Sequence, residues 1–197
     1  GSDAAILNKV VNARHALKFF EDRAGLKMEV IRGCRDYYYK HNDHAVAEGR
    51  MLECVPFPGA TLGEWQHKTR LSPQMPYGMT HHDIFSAGGS ANMMKWDFAK
   101  MGERLTNDER CLGPGLAAYF VKAALERDIP IWTDSPAEEL ISDGERVVGV
   151  RVKRDERDVF VKANKAVIVS VSSYERRQDY NKNLGTQLEL GSMVFSA

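Results

Sequence analysis

Residues Leu112–Leu184 read LGPGLAAYFVKAALERDIPIWTDSPAEELISDGERVVGVRVKRDERDVFVKANKAVIVSVSSYERRQDYNKNL. The stretch predicts a helix, a short strand at Ile129–Trp132, a hairpin and a closing apolar strand. Pro114 fits the first turn of the helix, where its missing N–H costs nothing. Leu116, Phe120, Ala123 and Ala124 give that helix one apolar face. Glu138–Ile141 and Val147–Val152 flank Ser142-Asp143-Gly144-Glu145-Arg146. Asp-Gly accepts the left-handed angles of a tight hairpin turn. Val159–Val161 predicts a third short strand, and the charged run 151–158 a solvated hairpin end. The last segment, Ala166–Val171, is apolar at almost every position and predicts a strand covered on both faces, inside a layered sheet.

Working outward, Asp3 suits an N-cap, and Ile6, Val10, Ala13, Leu17 and Phe20 fall at helical spacing up to a terminating Gly25. Leu26–Ile31 predicts a short strand. Residues 33–89 are rich in glycine and proline and predict a long irregular region, the kind of segment that often lines a site. Ser90–Leu105 predicts one helix through Met94, Phe98, Met101 and Leu105. Thr106–Asp108 makes a polar break.

Composition excludes several classes. The apolar fraction is 43%, enough for a core. Lys+Arg and Asp+Glu are equal at 27, which argues against nucleic acid as a partner. No window is long and apolar enough to predict a transmembrane segment. Three scattered cysteines, Cys34, Cys54 and Cys111, suit a reduced, cytoplasmic protein. Gly1-Ser2 reads as a cloning remnant with no initiator Met, so the natural start is expected upstream.

Two patterns carry a resemblance. The first is the C-terminal order: glycine-rich helix entry, strand, an Asp-x-x-Ala-x-x-Leu segment, a hairpin ending Val-x-Gly-Val, then the Ala-Val-Ile strand. It resembles the FAD-binding domain of the succinate dehydrogenase/fumarate reductase flavoprotein superfamily. The second is Gly33-Cys-Arg-Asp-Tyr-Tyr38, then Glu48-Gly-Arg50, Val55-Pro-Phe57 and Leu62-Gly63. It is similar to the 3-ketosteroid dehydrogenase branch. The resemblance implies an α/β fold, α+β within this piece: a β-meander and buried strand of a FAD-binding domain, with helices and a long irregular insertion. It divides the chain into residues 1–111, an insertion carrying the Asp-Tyr-Tyr segment, and residues 112–197, the FAD-binding core.

The resemblance also implies roles. Tyr37 and Tyr38 become catalytic candidates, Tyr37 first, assisting proton abstraction beside a ketone in a steroid-like substrate. A phenol has a pKa of ~10 in water and serves as a base only with help. From the residues alone, the tyrosine run reads instead as a strand with alternate rings buried. Ala137 and Glu138 are expected to meet the adenine of FAD through their backbone. Ser170, Val171, Ser172 and Ser173 occupy the turn where relatives place Ala-Thr-Gly-Gly close to the cofactor; glycine there permits close backbone approach. The FAD fingerprint and substrate-closing segments are expected outside this sequence. The isolated chain is therefore expected to be inactive without FAD, and to self-associate through the apolar surface so exposed.

Two alternatives stay open. Fumarate-reducing relatives carry His-Arg-Pro before the helix entry; this chain has Glu109-Arg-Cys-Leu-Gly-Pro114, which speaks against a small unsaturated acid as substrate. A non-catalytic remnant serving as a scaffold is kept alive by Ser172-Ser173. His81-His82-Asp83 reads as a solvated loop rather than a metal site, because adjacent histidines point apart. Cys54 and Cys111 read as small buried apolar residues.

Overall fold

The computed structural model describes residues 3–71 and 78–171. The chain falls into two compact units, Gly1–Pro130 and Ile131–Ala197.

The first unit opens with helix α1 (Asp3–Ala24). Gly25 at φ 64° ends it, and the Leu26 N–H turns back to the Phe20 carbonyl at 3.3 Å. No residue of α1 is buried, but Leu17 packs against the core and Phe20 stacks edge-on to Phe120 at 5.1 Å. Strand β1 (Met28–Val30) then pairs antiparallel with β2 (Leu52–Cys54), and β3 (Phe57–Pro58) pairs with β4 (Glu109–Arg110). Between β3 and β4 come a 3-10 segment (Gly59–Gln66), α2 (His81–Ser86), a second 3-10 segment (Ser90–Lys95) and α3 (Phe98–Thr106). Helix α4 (Leu112–Leu125) closes the unit.

Two apolar clusters hold this unit. Leu26, Cys54, Phe57, Leu62, Ala118 and Tyr119 form the larger. Phe57 and Tyr119 meet edge to face at 4.8 Å, and the Tyr119 hydroxyl donates to the Val55 carbonyl at 3.2 Å. Met79, Ile84 and Met101 form the smaller, with Trp96 against them. Gly115 is required by the seam: a Cβ there would lie 2.4 Å from the Arg110 carbonyl and 3.2 Å from Cys54 Sγ. Burial pushes the Cys111 thiol up to about 12, and the Cys54 thiol also upward, so both stay protonated as small core residues.

The second unit is a meander of β5 (Ala137–Asp143), β6 (Arg146–Arg154) and β7 (Arg157–Lys162), in that order and all antiparallel. Gly144 at φ 61° makes the first turn; Asp155 and Glu156, at φ 49° and 60°, make the second. Pairing places Ala137, Val152 and Val159 in one row and Leu140, Val150 and Val161 in another. The three antiparallel strands and the turns match the hairpin and third strand expected from the sequence.

Three expectations are corrected. Ser90–Leu105 is not one helix. Trp96 is extended (φ −70°, ψ 145°) to reach the smaller core, and Asp97 restarts the helix by accepting from the Lys100 N–H at 2.9 Å. Ile129–Trp132 forms no strand. Asp128 turns left-handed at φ 52° and the Ile129 N–H closes α4 on the Ala124 carbonyl at 3.0 Å, while Pro130 has no N–H to give. Ala166–Val171 forms no strand either: Ile168 is 90% exposed and Val171 80%. An apolar run becomes a buried strand only where neighbours take its N–H and C=O groups. Among the described residues none runs beside it.

Candidate functional site

Residues 32–51 form a loop between the paired strands β1 and β2. The Ile31 N–H donates to the Met51 carbonyl at 2.9 Å, so the loop's ends are pinned together. The Tyr37-Tyr38-Tyr39 run lies in this loop as a turn, not as a strand with alternate rings buried. Tyr38 takes φ 58°, left-handed for a bulky residue. The Tyr39 N–H donates to the Asp36 carbonyl at 3.2 Å and the His41 N–H to the Tyr38 carbonyl at 2.7 Å. Tyr37 and Tyr38 are 86% and 78% exposed, so both phenols are presented outward. Tyr39 instead carries the Arg35 guanidinium 5.4 Å from its ring centre.

Two carboxylates knit the loop. Glu48 accepts from the Gly33 N–H at 2.8 Å and from Arg32 Nη1 at 2.9 Å. Those two bonds, the backbone one foremost, hold its carboxyl below the usual range. Gly33 sits at φ 74°, which suits a residue without Cβ. Asp36 pairs both ways with Val46: its N–H donates to the Val46 carbonyl at 3.1 Å, and its Oδ2 accepts from the Val46 N–H at 3.0 Å. Arg50 Nη1 lies 3.2 Å from the same Oδ2, and Arg50 Nη2 donates to the His44 carbonyl at 2.7 Å. The sequence showed Gly33, Asp36, Glu48 and Arg50 as a spaced motif but gave no reason for it. The reason is that they are each other's partners.

Below the loop, Glu53 of β2 is buried. Its two oxygens accept from the His81 and His82 N–H groups, each at 2.7 Å, at the start of α2. His81-His82-Asp83 is thus a helix start rather than the solvated loop read from sequence. Thr80 and Asp83 complete a reciprocal capping box. Asp83 also meets Lys100 at 2.9 Å and Arg104. Burial pushes the Asp83 carboxyl up, but these bonds outweigh it and hold the carboxyl far below its ordinary 3.8.

In the second unit, Ala137 begins β5 opposite Val152, and the register shifts between Ala137 and Glu139. Glu138 sits in that irregularity, its carboxylate 2.6 Å from Arg151 Nη1. Glu139 and Asp158 also meet Arg151, at 3.0 and 3.2 Å. Strand β5 is one of the two outer strands of the meander, so one of its backbone edges is unpaired among the described residues. Ser170 and Val171 are exposed and irregular; Ser172 and Ser173 lie outside the described residues. Among the described residues, no helix is long and apolar enough to cross a membrane.

Comparison with known proteins places the fold. The chain is 26% identical over 161 residues to a 3-oxosteroid 1-dehydrogenase of Comamonas testosteroni, covering 72% of this chain and 28% of that protein. Its fold matches the crystal structure of 3-ketosteroid delta1-dehydrogenase from Sterolibacterium denitrificans in complex with 1,4-androstadiene-3,17-dione. That match has a TM-score of 0.72 at 24% identity, over 90% of this chain and 35% of the other. The chain therefore spans about a third of the length of these relatives. The model of the FAD binding domain family matches residues 4–194, nearly the whole sequence, and the chain belongs to that family.

Proposed function

We propose that the chain is part of a FAD-dependent oxidoreductase that dehydrogenates or reduces a carbon–carbon bond next to a ketone in a steroid-like substrate. The observation that carries this reading is the outward presentation of Tyr37 and Tyr38 from a loop closed by its own ion pairs. The similarity to a 3-oxosteroid 1-dehydrogenase supports the substrate class. In this reading residues 1–111 carry the substrate-facing insertion and residues 112–197 the cofactor-facing part.

The residues divide the work. Tyr37 holds the phenolic oxygen that exchanges a proton with the carbon beside the ketone, and Tyr38 assists it. The backbone of Ala137 and Glu138 pairs with the adenine. Ser170, Val171, Ser172 and Ser173 are assigned to the flavin. FAD, when bound, supplies the acceptor for the hydride that leaves the substrate. The three unpaired thiols suit a reduced, cytoplasmic setting.

Arg110 speaks against a small dicarboxylate substrate. It is 2% exposed and committed to Asp108, Thr69 and the Gln66 carbonyl, so it is not offered to a ligand. The test is anaerobic addition of a 3-ketosteroid to the flavin-loaded whole protein. The flavin band is expected to bleach, and Tyr37→Phe to lower kcat about 100-fold or more. A band unchanged by every ketosteroid tried removes the steroid reading.

A further inference from the structure

We infer that Asp36 and Glu48 are positioning residues, which hold the Tyr37–Tyr38 turn in the one conformation that serves the reaction. The inference rests on the reading of Tyr37 as a catalytic residue and deepens it.

Loop 32–51 contains no regular element, and its two leading tyrosines contribute little to a core. Fixing each backbone residue costs conformational entropy, so something other than apolar burial must order the loop. Tyr38 adds a left-handed backbone that a non-glycine residue holds only when its surroundings impose it. The constraint comes from the two carboxylates. Asp36 is the residue directly before Tyr37, and its side chain is 13% exposed. It ties the first limb of the loop to Val46 and Arg50 on the second. Glu48 ties the second limb back to Gly33 and Arg32 at the entrance. Each tie runs from a side chain to a backbone N–H on the opposite limb and is reinforced by an arginine. The pair therefore fixes where the phenols stand without touching them. A shift of about 1 Å in a reacting group can cost roughly 100-fold in rate, so such ties are felt in turnover.

The experiment is a double-mutant cycle in the flavin-loaded whole protein. Asp36→Ala and Glu48→Ala are each expected to lower kcat about 100-fold, with KM and the flavin absorbance unchanged. Asp36→Asn and Glu48→Gln keep an oxygen that accepts the backbone N–H, and are expected to recover activity to within about tenfold of wild type. In a Tyr37→Phe background neither alanine change is expected to lower kcat further, because nothing remains to position. Hydrogen exchange at the Gly33 and Val46 amides is expected to quicken about tenfold in the alanine variants. Where an alanine variant fails to fold, the Asn or Gln variant carries the same cycle. Equal losses with and without Tyr37 overturn the inference, as does wild-type kcat in the Asp36 and Glu48 variants when Tyr37→Phe is inactive. Wild-type kcat in both Tyr37→Phe and Tyr38→Phe instead overturns the reading of the tyrosines, and this inference with it.

Discussion

Arg110 is among the largest fully buried side chains, and it survives burial because nearly every donor is used. Its Nε meets Asp108 Oδ1 at 3.0 Å, Nη2 meets Asp108 Oδ2 at 3.1 Å and the Gln66 carbonyl at 2.7 Å, and Nη1 reaches Thr69. One side chain thereby fixes the end of the 3-10 segment against β4. Removing it strips Asp108 Oδ1 of its donor and leaves Oδ2 with Gln66 Nε2, at 2.8 Å, and the Gln66 carbonyl with Thr69 Oγ1, at 3.2 Å. Arg110→Met is expected to lower stability by about 3–5 kcal/mol, read as a fall in the denaturant midpoint at unchanged slope. Asp108→Asn keeps an acceptor and should cost less than half of that. Nothing in the sequence marked Arg110 as a core residue. Its neighbours on the chain are polar or small, and apart from Asp108 its partners come from residues 66–69, far away in sequence.

At the scale of the element, α2 shows how a six-residue helix persists. Propensity alone does not support so short a segment. Its first turn is instead held by Thr80, Asp83 and the buried Glu53, and Asp83 is held by Lys100 and Arg104 of α3. The Asp83 carboxyl is far below 3.8 in the folded chain. Its contribution is therefore complete above that pH and is lost as pH falls toward the folded value. Asp83→Asn is expected to cost about 1–2 kcal/mol at pH 7. It should also flatten the loss of thermal midpoint below pH 4 relative to wild type. An unchanged acid slope would mean that another carboxylate governs it. The elements legible in the sequence were those whose cause is local: the Asp143-Gly144 turn, the strands around it, Gly25, and Pro114 in α4. The illegible ones had distant causes. Trp96 leaves the helical path because Met79, Ile84 and Met101 offer it a core. Residues 166–171 looked like a buried strand because hydrophobicity reports what a segment can bury, not whether its neighbours are beside it. The tyrosines of the candidate site stood out by residue type. The carboxylates that hold their loop stood in the same motif, but their pairing did not show, since ion pairs across a loop leave no periodicity.

At the scale of the whole molecule, both apolar clusters are built from residues before Ile131. The meander contributes one strongly buried apolar residue among those described, Val152 at 7%. Cooperative unfolding should therefore belong to the first unit. A chain of residues 1–130 is expected to keep the thermal midpoint of the full sequence within about 4 °C, the shift that 1 kcal/mol produces in a domain of this size. A larger drop would show that residues 131–197 stabilise the first unit. The turn of Asp155 and Glu156 then acquires a practical meaning. Both residues are exposed, both already hold left-handed angles, and neither touches either cluster. That tip is a natural port for a graft: an epitope or fluorophore peptide spliced between the two would report on the ribbon while leaving the tyrosine loop chemically untouched.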